Sequence, residues 1–143
     1  MNLADLWKRW RQPLAQPAHL RFGRLGEEAA RRHLSDSGLD FLTANFRSPR
    51  GEIDLIFRHS QCLVFVEVKT RSSEEWVRPA ASVDLDKRRR LSHAAFDYLK
   101  RLHEPRVPFR FDIVEVLLDD GHVAQVRHLP NAFHIVNSWK VGG

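Results

Sequence analysis

Between Gly51 and Thr70 the chain runs Gly51-Glu52-Ile53-Asp54-Leu55-Ile56, breaks at a short polar turn, and resumes with Phe65-Val66-Glu67-Val68-Lys69-Thr70. Charge returns at every second position of otherwise apolar, strand-forming runs, which is the period of one strand face. If the two strands pair as an antiparallel hairpin centred between Ser60 and Gln61, residues whose numbers sum to 121 lie opposite one another. Asp54 then faces Glu67 and Glu52 faces Lys69, while Ile53, Leu55, Phe57, Val64, Val66 and Val68 make an apolar opposite face. A one-residue slip would scatter charge into the core, so the pattern favours this register.

Carboxylates placed opposite one another repel, and something must compensate. A divalent cation does so, taking one or two protein carboxylates and leaving its other positions to water and phosphate oxygens. The expected roles are distinct. Asp54 and Glu67 ligate Mg²⁺ or Mn²⁺, the Val68 carbonyl adds a ligand, and Lys69 acts on the water nucleophile or on the phosphate. Set against this is a plainer reading, a surface face of alternating charge with a Glu-Lys pair across the strands.

The remainder of the chain supplies a frame for that hairpin. Apolar residues recur at helical spacing from Arg21 to Ser37, with Gly38 suited to end the helix, and a short strand follows at Phe41 to Phe46. The charged hairpin covers Glu52 to Arg58 and Cys62 to Thr70. A polar loop over 71–82 leads to a helix from Val83 to Leu102, and two strands, Phe109 to Leu118 and His122 to Leu129, flank Asp119-Asp120-Gly121 as a hairpin turn. A short helix is expected after Pro130. Residues 1–18, with Trp7 and Trp10 among basic residues and Pro13 and Pro17 behind them, read as a loosely ordered extension to a domain over 19–143.

A chain of 143 residues with 43% hydrophobic residues can bury one core. Its formal charge of +5 points to an anionic partner. Arg47, Arg50, Arg71, Lys87 and Arg88 are the candidate phosphate contacts. The Lys87 to Arg90 run opposes the dipole at its helix start, which favours anion binding over a solvated helix face. Cys62 has no partner for an internal disulfide, no zinc-ligand spacing is present, and no apolar stretch approaches the roughly 20 residues of a membrane span. A cytoplasmic protein is the expectation. Asp112 is expected to anchor a neighbouring arginine or backbone group, and His59, His122, His128 and His134 read as surface or loop residues.

Asp54, a gap of twelve residues, and then Glu67-Val68-Lys69 resemble the signature of the PD-(D/E)xK nuclease superfamily, with Ile53 standing where many members have proline. Gly26-Glu27, Asn45-Phe46-Arg47, Gly51 to Ile56, Phe65 to Arg71 and Arg110-Phe111-Asp112 look like the YraN-like bacterial family, over roughly residues 20 to 136. That family is similar to archaeal Holliday junction resolvases. The resemblance implies an α/β fold, a restriction-endonuclease-like mixed β-sheet of about five strands flanked by helices. It also implies that Glu27 completes the metal site. Glu52 lies outside the motif and is given a supporting place beside the ligands. The resulting expectation is a metal-dependent endonuclease hydrolysing DNA phosphodiesters, on branched DNA by analogy, with DNA favoured over RNA and a homodimer suited to a symmetric junction. The alternative is a non-catalytic nucleic-acid-binding module that retains the nuclease fold. A membrane adaptor working through the first residues is a third, less favoured reading.

Overall fold

The computed structural model describes residues 18–72, 83–103 and 106–135. The proposed extension before Ala18, most of the expected loop over 71–82 and the chain beyond Ile135 lie outside the described residues. In chain order the elements are α1 (Ala18–Asp36), β1 (Asp40–Ser48), β2 (Gly51–His59), β3 (Cys62–Ser72), α2 (Leu85–Leu102), β4 (Phe109–Asp119) and β5 (His122–Phe133). The five strands form one mixed sheet in the order β1-β2-β3-β4-β5. All neighbours are antiparallel except β3 and β4. A parallel pair needs a crossover, and the chain supplies it through α2.

Local chemistry explains the joints. Past the end of α1, Gly38 takes φ +96°, and Leu39 N–H donates to the Leu34 carbonyl at 3.1 Å, closing the open carbonyls of the last turn. Asp84 caps α2 by accepting from Lys87 N–H at 2.8 Å. Between β4 and β5, Asp120 at φ 50° and Gly121 at φ 76° give the two left-handed positions that a two-residue hairpin requires.

Alternation along the strands divides the core by face. Ala30, Leu34 and Leu39 pack with Leu55, Phe57, Val64, Val66, Val114, Val116 and Leu118 on the α1 side. Leu91, Ala94, Ala95 and Leu99 of α2 pack with Ile56, Leu63, Phe65, Phe111 and Ile113 on the other. The helices cover opposite faces of the sheet, α1 lying closest to β3, β4 and β5 and α2 packing across β1 to β4.

Three sequence expectations need correction. β5 continues to Phe133 with Asn131 at φ 50°, so no helix starts directly after Pro130. β1 is nine residues long, longer than the short strand the sequence suggested. Ile53 does not share a face with Leu55, since it joins Phe46 and Ile56 on the α2 side. Ala44 pairs with Leu55 and Phe46 with Ile53, yet the members of each strand belong to opposite cores. Both strands therefore turn over at Asn45 and Asp54, and Asn45 takes up the turn with φ 52°.

Candidate functional site

The β2–β3 register is the one the charge pattern implied, with Leu55 opposite Val66, Phe57 opposite Val64 and His59 opposite Cys62. It stops one rung short of the charges. Asp54 and Glu67 are not ladder partners, because β2 rolls over at Asp54 and its carboxylate takes the place of the backbone. Asp54 Oδ2 accepts the Val68 N–H at 2.8 Å, across the opening between the strands. β3 meanwhile continues beside β4 as far as Ser72. The opening thus sits toward the carboxyl end of a parallel strand, the usual place for a ligand in a mixed sheet.

Into this opening the fold brings two carboxyl groups within hydrogen-bonding reach of each other. Burial is the main reason why Glu67 is pushed up to about 7, and the Asp54 charge adds to it. Asp54 is raised by burial too, with the Val68 N–H and Lys87 pulling the other way. Lys87 Nζ of α2 meets Glu67 Oε1 at 3.2 Å. Glu67 Oε2 is buried and has no hydrogen-bond donor. An ionised oxygen in that state is costly, and a shared proton or a cation relieves it.

Glu27 approaches from α1. It sits in the middle of the helix, so stabilising a helix start does not explain it. Burial raises its proton affinity first and Asp54 second, while the Asn45 side chain donates to it and lowers it. The approach depends on Gly26, where a Cβ would collide with the Thr70 side chain of β3. Lys69 lies on the same side of β3 as Glu67. Burial and then Arg71 lower its proton affinity, with Glu67, Glu115 and Asp84 opposing. Glu52 pairs instead with Arg47 across β1–β2, at 3.5 Å from its Nε, and acts on Asp54 only through its charge.

The donor set suits a hard cation, with two carboxylates in contact and open positions for water and phosphate oxygens. Among the described residues no three acidic, histidine or cysteine side chains converge closely enough to form a metal cage. Glu27 therefore stands near the pair without closing a three-carboxylate cluster.

The basic candidates divide. Arg47, Arg50 and Lys87 line one cleft with Glu52. Arg50 is held by Asp97 through bonds of 2.7 and 3.3 Å. Arg88 donates to the Val83 carbonyl at 2.8 Å and lies 5.6 Å from the Phe133 ring centre, so it serves the fold. Arg71 lies 3.6 Å from Glu115, a fully buried carboxylate that also meets Arg127 at 3.7 Å. Asp112 is the structural anchor that the sequence suggested, accepting from Arg110 and from the Asn131 N–H at 2.9 Å. His128, read as a surface or loop residue, is instead a strand residue bonded to Asp112 at 2.7 Å.

Sequence reasoning quoted Asn45 in the family motif without giving it a role; it is the left-handed strand residue that holds Glu27, and an asparagine amid apolar strand positions is a signal for that conformation. Lys87 was named as a phosphate contact, and its ion pair with Glu67 was not foreseen. Glu115 had no signal beyond one acid in an apolar run.

The family described as "Uncharacterised protein family UPF0102" matches residues 26–116. A UPF0102 protein of Trichlorobacter lovleyi is 39% identical over 126 residues, covering 86% of this chain and 98% of its own. One from Symbiobacterium thermophilum is 43% identical over 114 residues, covering 80% and 97%. Another from Desulfosudis oleivorans is 41% identical over 112 residues, covering 78% and 89%. The matched span runs from Gly26 and Glu27 through the opened hairpin to β4, and the chain belongs to the UPF0102 family.

Proposed function

We propose that the protein is a metal-dependent endonuclease that hydrolyses nucleic-acid phosphodiesters, DNA before RNA, with Asp54 and Glu67 as carboxylate ligands of Mg²⁺ or Mn²⁺. The observation that carries this reading is the buried, donorless Oε2 of Glu67 beside a second, half-buried carboxyl, that of Asp54. A bound divalent ion would supply an acidified water and a counter-charge for the scissile phosphate. Asp54 is oriented for ligation by the Val68 N–H, and we assign the Val68 carbonyl and Glu27 to the ion or its waters. Lys69, its proton affinity lowered, is more readily present than an exposed lysine as the neutral amine that can take a proton from water, or as a cation holds the phosphate oxygen. Lys87 would release Glu67 as positive charge arrives. Branched DNA as substrate and a twofold dimer rest on the resemblance to junction resolvases.

The test uses purified protein with labelled junction, flap, single-stranded and duplex DNA, in Mn²⁺ or in EDTA. Cutting that needs Mn²⁺ and is lost in Asp54→Ala and Lys69→Ala supports the site, and cutting that survives either substitution removes it. Calorimetric titration with Mn²⁺ should show binding that Glu67→Gln abolishes.

A second reading is a nucleic-acid-binding module without catalysis. The Lys87–Glu67 pair favours it, because a resident cation on the carboxylate keeps the centre neutral without metal. It predicts salt-sensitive binding, no cutting, and little dependence on Glu67.

A further inference from the structure

The β1–β2 turn is the shared wall of two open clefts. The first, about 610 Å³, is lined by Arg47, Glu52, Lys87 and Arg90 together with Ser48, Pro49 and Arg50. The second, about 410 Å³, has the same three turn residues and adds Asp97, Lys100 and Arg101. Meeting at the turn, they make one trough along the flank of α2, from Lys87, whose ammonium meets Glu67, to the helix C-terminus. Six cations against two carboxylates leave it with an excess of four positive charges.

Its walls are fixed before any ligand arrives. The two Arg50–Asp97 bonds tie the turn to the helix, and Gly51 allows the backbone to meet the Arg90 carbonyl where any Cβ would collide. Arg101 stacks 4.9 Å from the centre of the Phe46 ring. Lys100 and Arg101 also complement the helix dipole, but that role does not account for Arg47, Arg50 and Arg90 facing the same trough. Lys87 and Arg101 are separated by about 21 Å of helix, close to six steps of one DNA strand at about 3.4 Å each.

We propose that this trough holds the sugar-phosphate backbone of the nucleic acid on one side of the cleavage position, so that a substrate must extend about 20 Å from Asp54 and Glu67 toward Arg101. Placing that position at the carboxylate pair rests on the function proposed above; binding in the trough does not.

The test is fluorescence anisotropy of the full chain with an end-labelled 20-nucleotide DNA, single-stranded and duplex, in EDTA at 50 to 200 mM salt. Combining Arg90→Gln, Lys100→Gln and Arg101→Gln should weaken binding at least tenfold and reduce the slope of log affinity on log salt by about 2 to 3. Arg32→Gln, on α1, should leave the slope unchanged. Circular dichroism and the thermal midpoint establish that the triple variant is folded. A wild-type protein that does not bind, a folded triple variant with an unchanged slope, or equal competition by polyglutamate would each overturn the proposal. EDTA separates the two claims. Binding lost in the triple variant, from a protein that never cuts in Mn²⁺, sinks the nuclease and keeps the trough. Cutting by a triple variant with undiminished binding does the reverse.

Discussion

Replacing Glu67 with glutamine keeps the side chain's shape and removes the charge that burial and Asp54 both oppose. In the folded protein the carboxyl holds its proton to about 7, against an ordinary value of 4.5. At about 1.4 kcal/mol per tenfold change in proton affinity, an ionised Glu67 costs the fold about 3 kcal/mol at pH 8. The sign follows from which state binds more protons. Below pH 4.5 both states are protonated; as pH rises from 4.5 toward 7 the unfolded chain ionises first, the folded state retains the proton, and wild-type stability falls. Urea denaturation should therefore find Glu67→Gln within about 1 kcal/mol of wild type at pH 4 and about 2 to 3 kcal/mol more stable at pH 8. Mn²⁺ at a hundred times its dissociation constant should return about 3 kcal/mol to the wild type and none to the variant. If the variant is the less stable at pH 8, the Glu67–Lys87 pair is net favourable and the strained carboxyl pair does not exist. That result would falsify the reasoning behind the metal site.

Gly26→Ala gains helix propensity but puts a methyl into Thr70, and a net loss of about 1 to 3 kcal/mol is expected. Thr70→Ala should restore part of it in a double-mutant cycle, and simple additivity would show that the two residues do not meet. Asp112→Asn removes the charge that Arg110, His128 and the Asn131 N–H address, at a cost of about 2 to 4 kcal/mol at pH 7. The folded Asp112 carboxyl lies below its ordinary 3.8, with His128 the largest lowering influence against burial, so this stability is lost as pH falls through the depressed value. A penalty of equal size at pH 7 and pH 2 would contradict that account. Glu115→Gln leaves Arg71 and Arg127 facing a neutral group in a fully buried place, and chemical denaturation should show about 3 to 5 kcal/mol lost. Unchanged stability would mean that the two arginines do not depend on the Glu115 charge.

The hairpin register was legible because period-two alternation leaves one arrangement that keeps Leu55, Phe57, Val64 and Val66 together. The Asp120-Gly121 turn and the Gly38 helix end were legible because few residues accept positive φ. What the alternation could not reveal was its own interruption. Ile53 has the parity of Leu55 and lands on the other face, since the roll at Asn45 and Asp54 depends on tertiary contacts with Val68, Glu27 and α2 that no local window contains. The basic residues were misjudged in part for a similar reason. Helical position brings Lys87 to Glu67 and Arg90 to the cleft while it turns Arg88 toward Val83 and Phe133, and a composition argument treats the three alike.

The sheet is stitched unevenly. β2 and β3 share rungs only from His59–Cys62 to Leu55–Val66, while β2 stays paired to β1, and β3 to β4, well beyond that point. Past the last rung this seam is closed by side chains, Asp54 Oδ2 on the Val68 N–H and α2 packed on residues of β2, β3 and β4 alike. An ion held between Asp54 and Glu67 would act as a bolt across the seam, and its arrival should slow amide exchange along the Leu55–Val66 rung before it alters any residue of the outer strands.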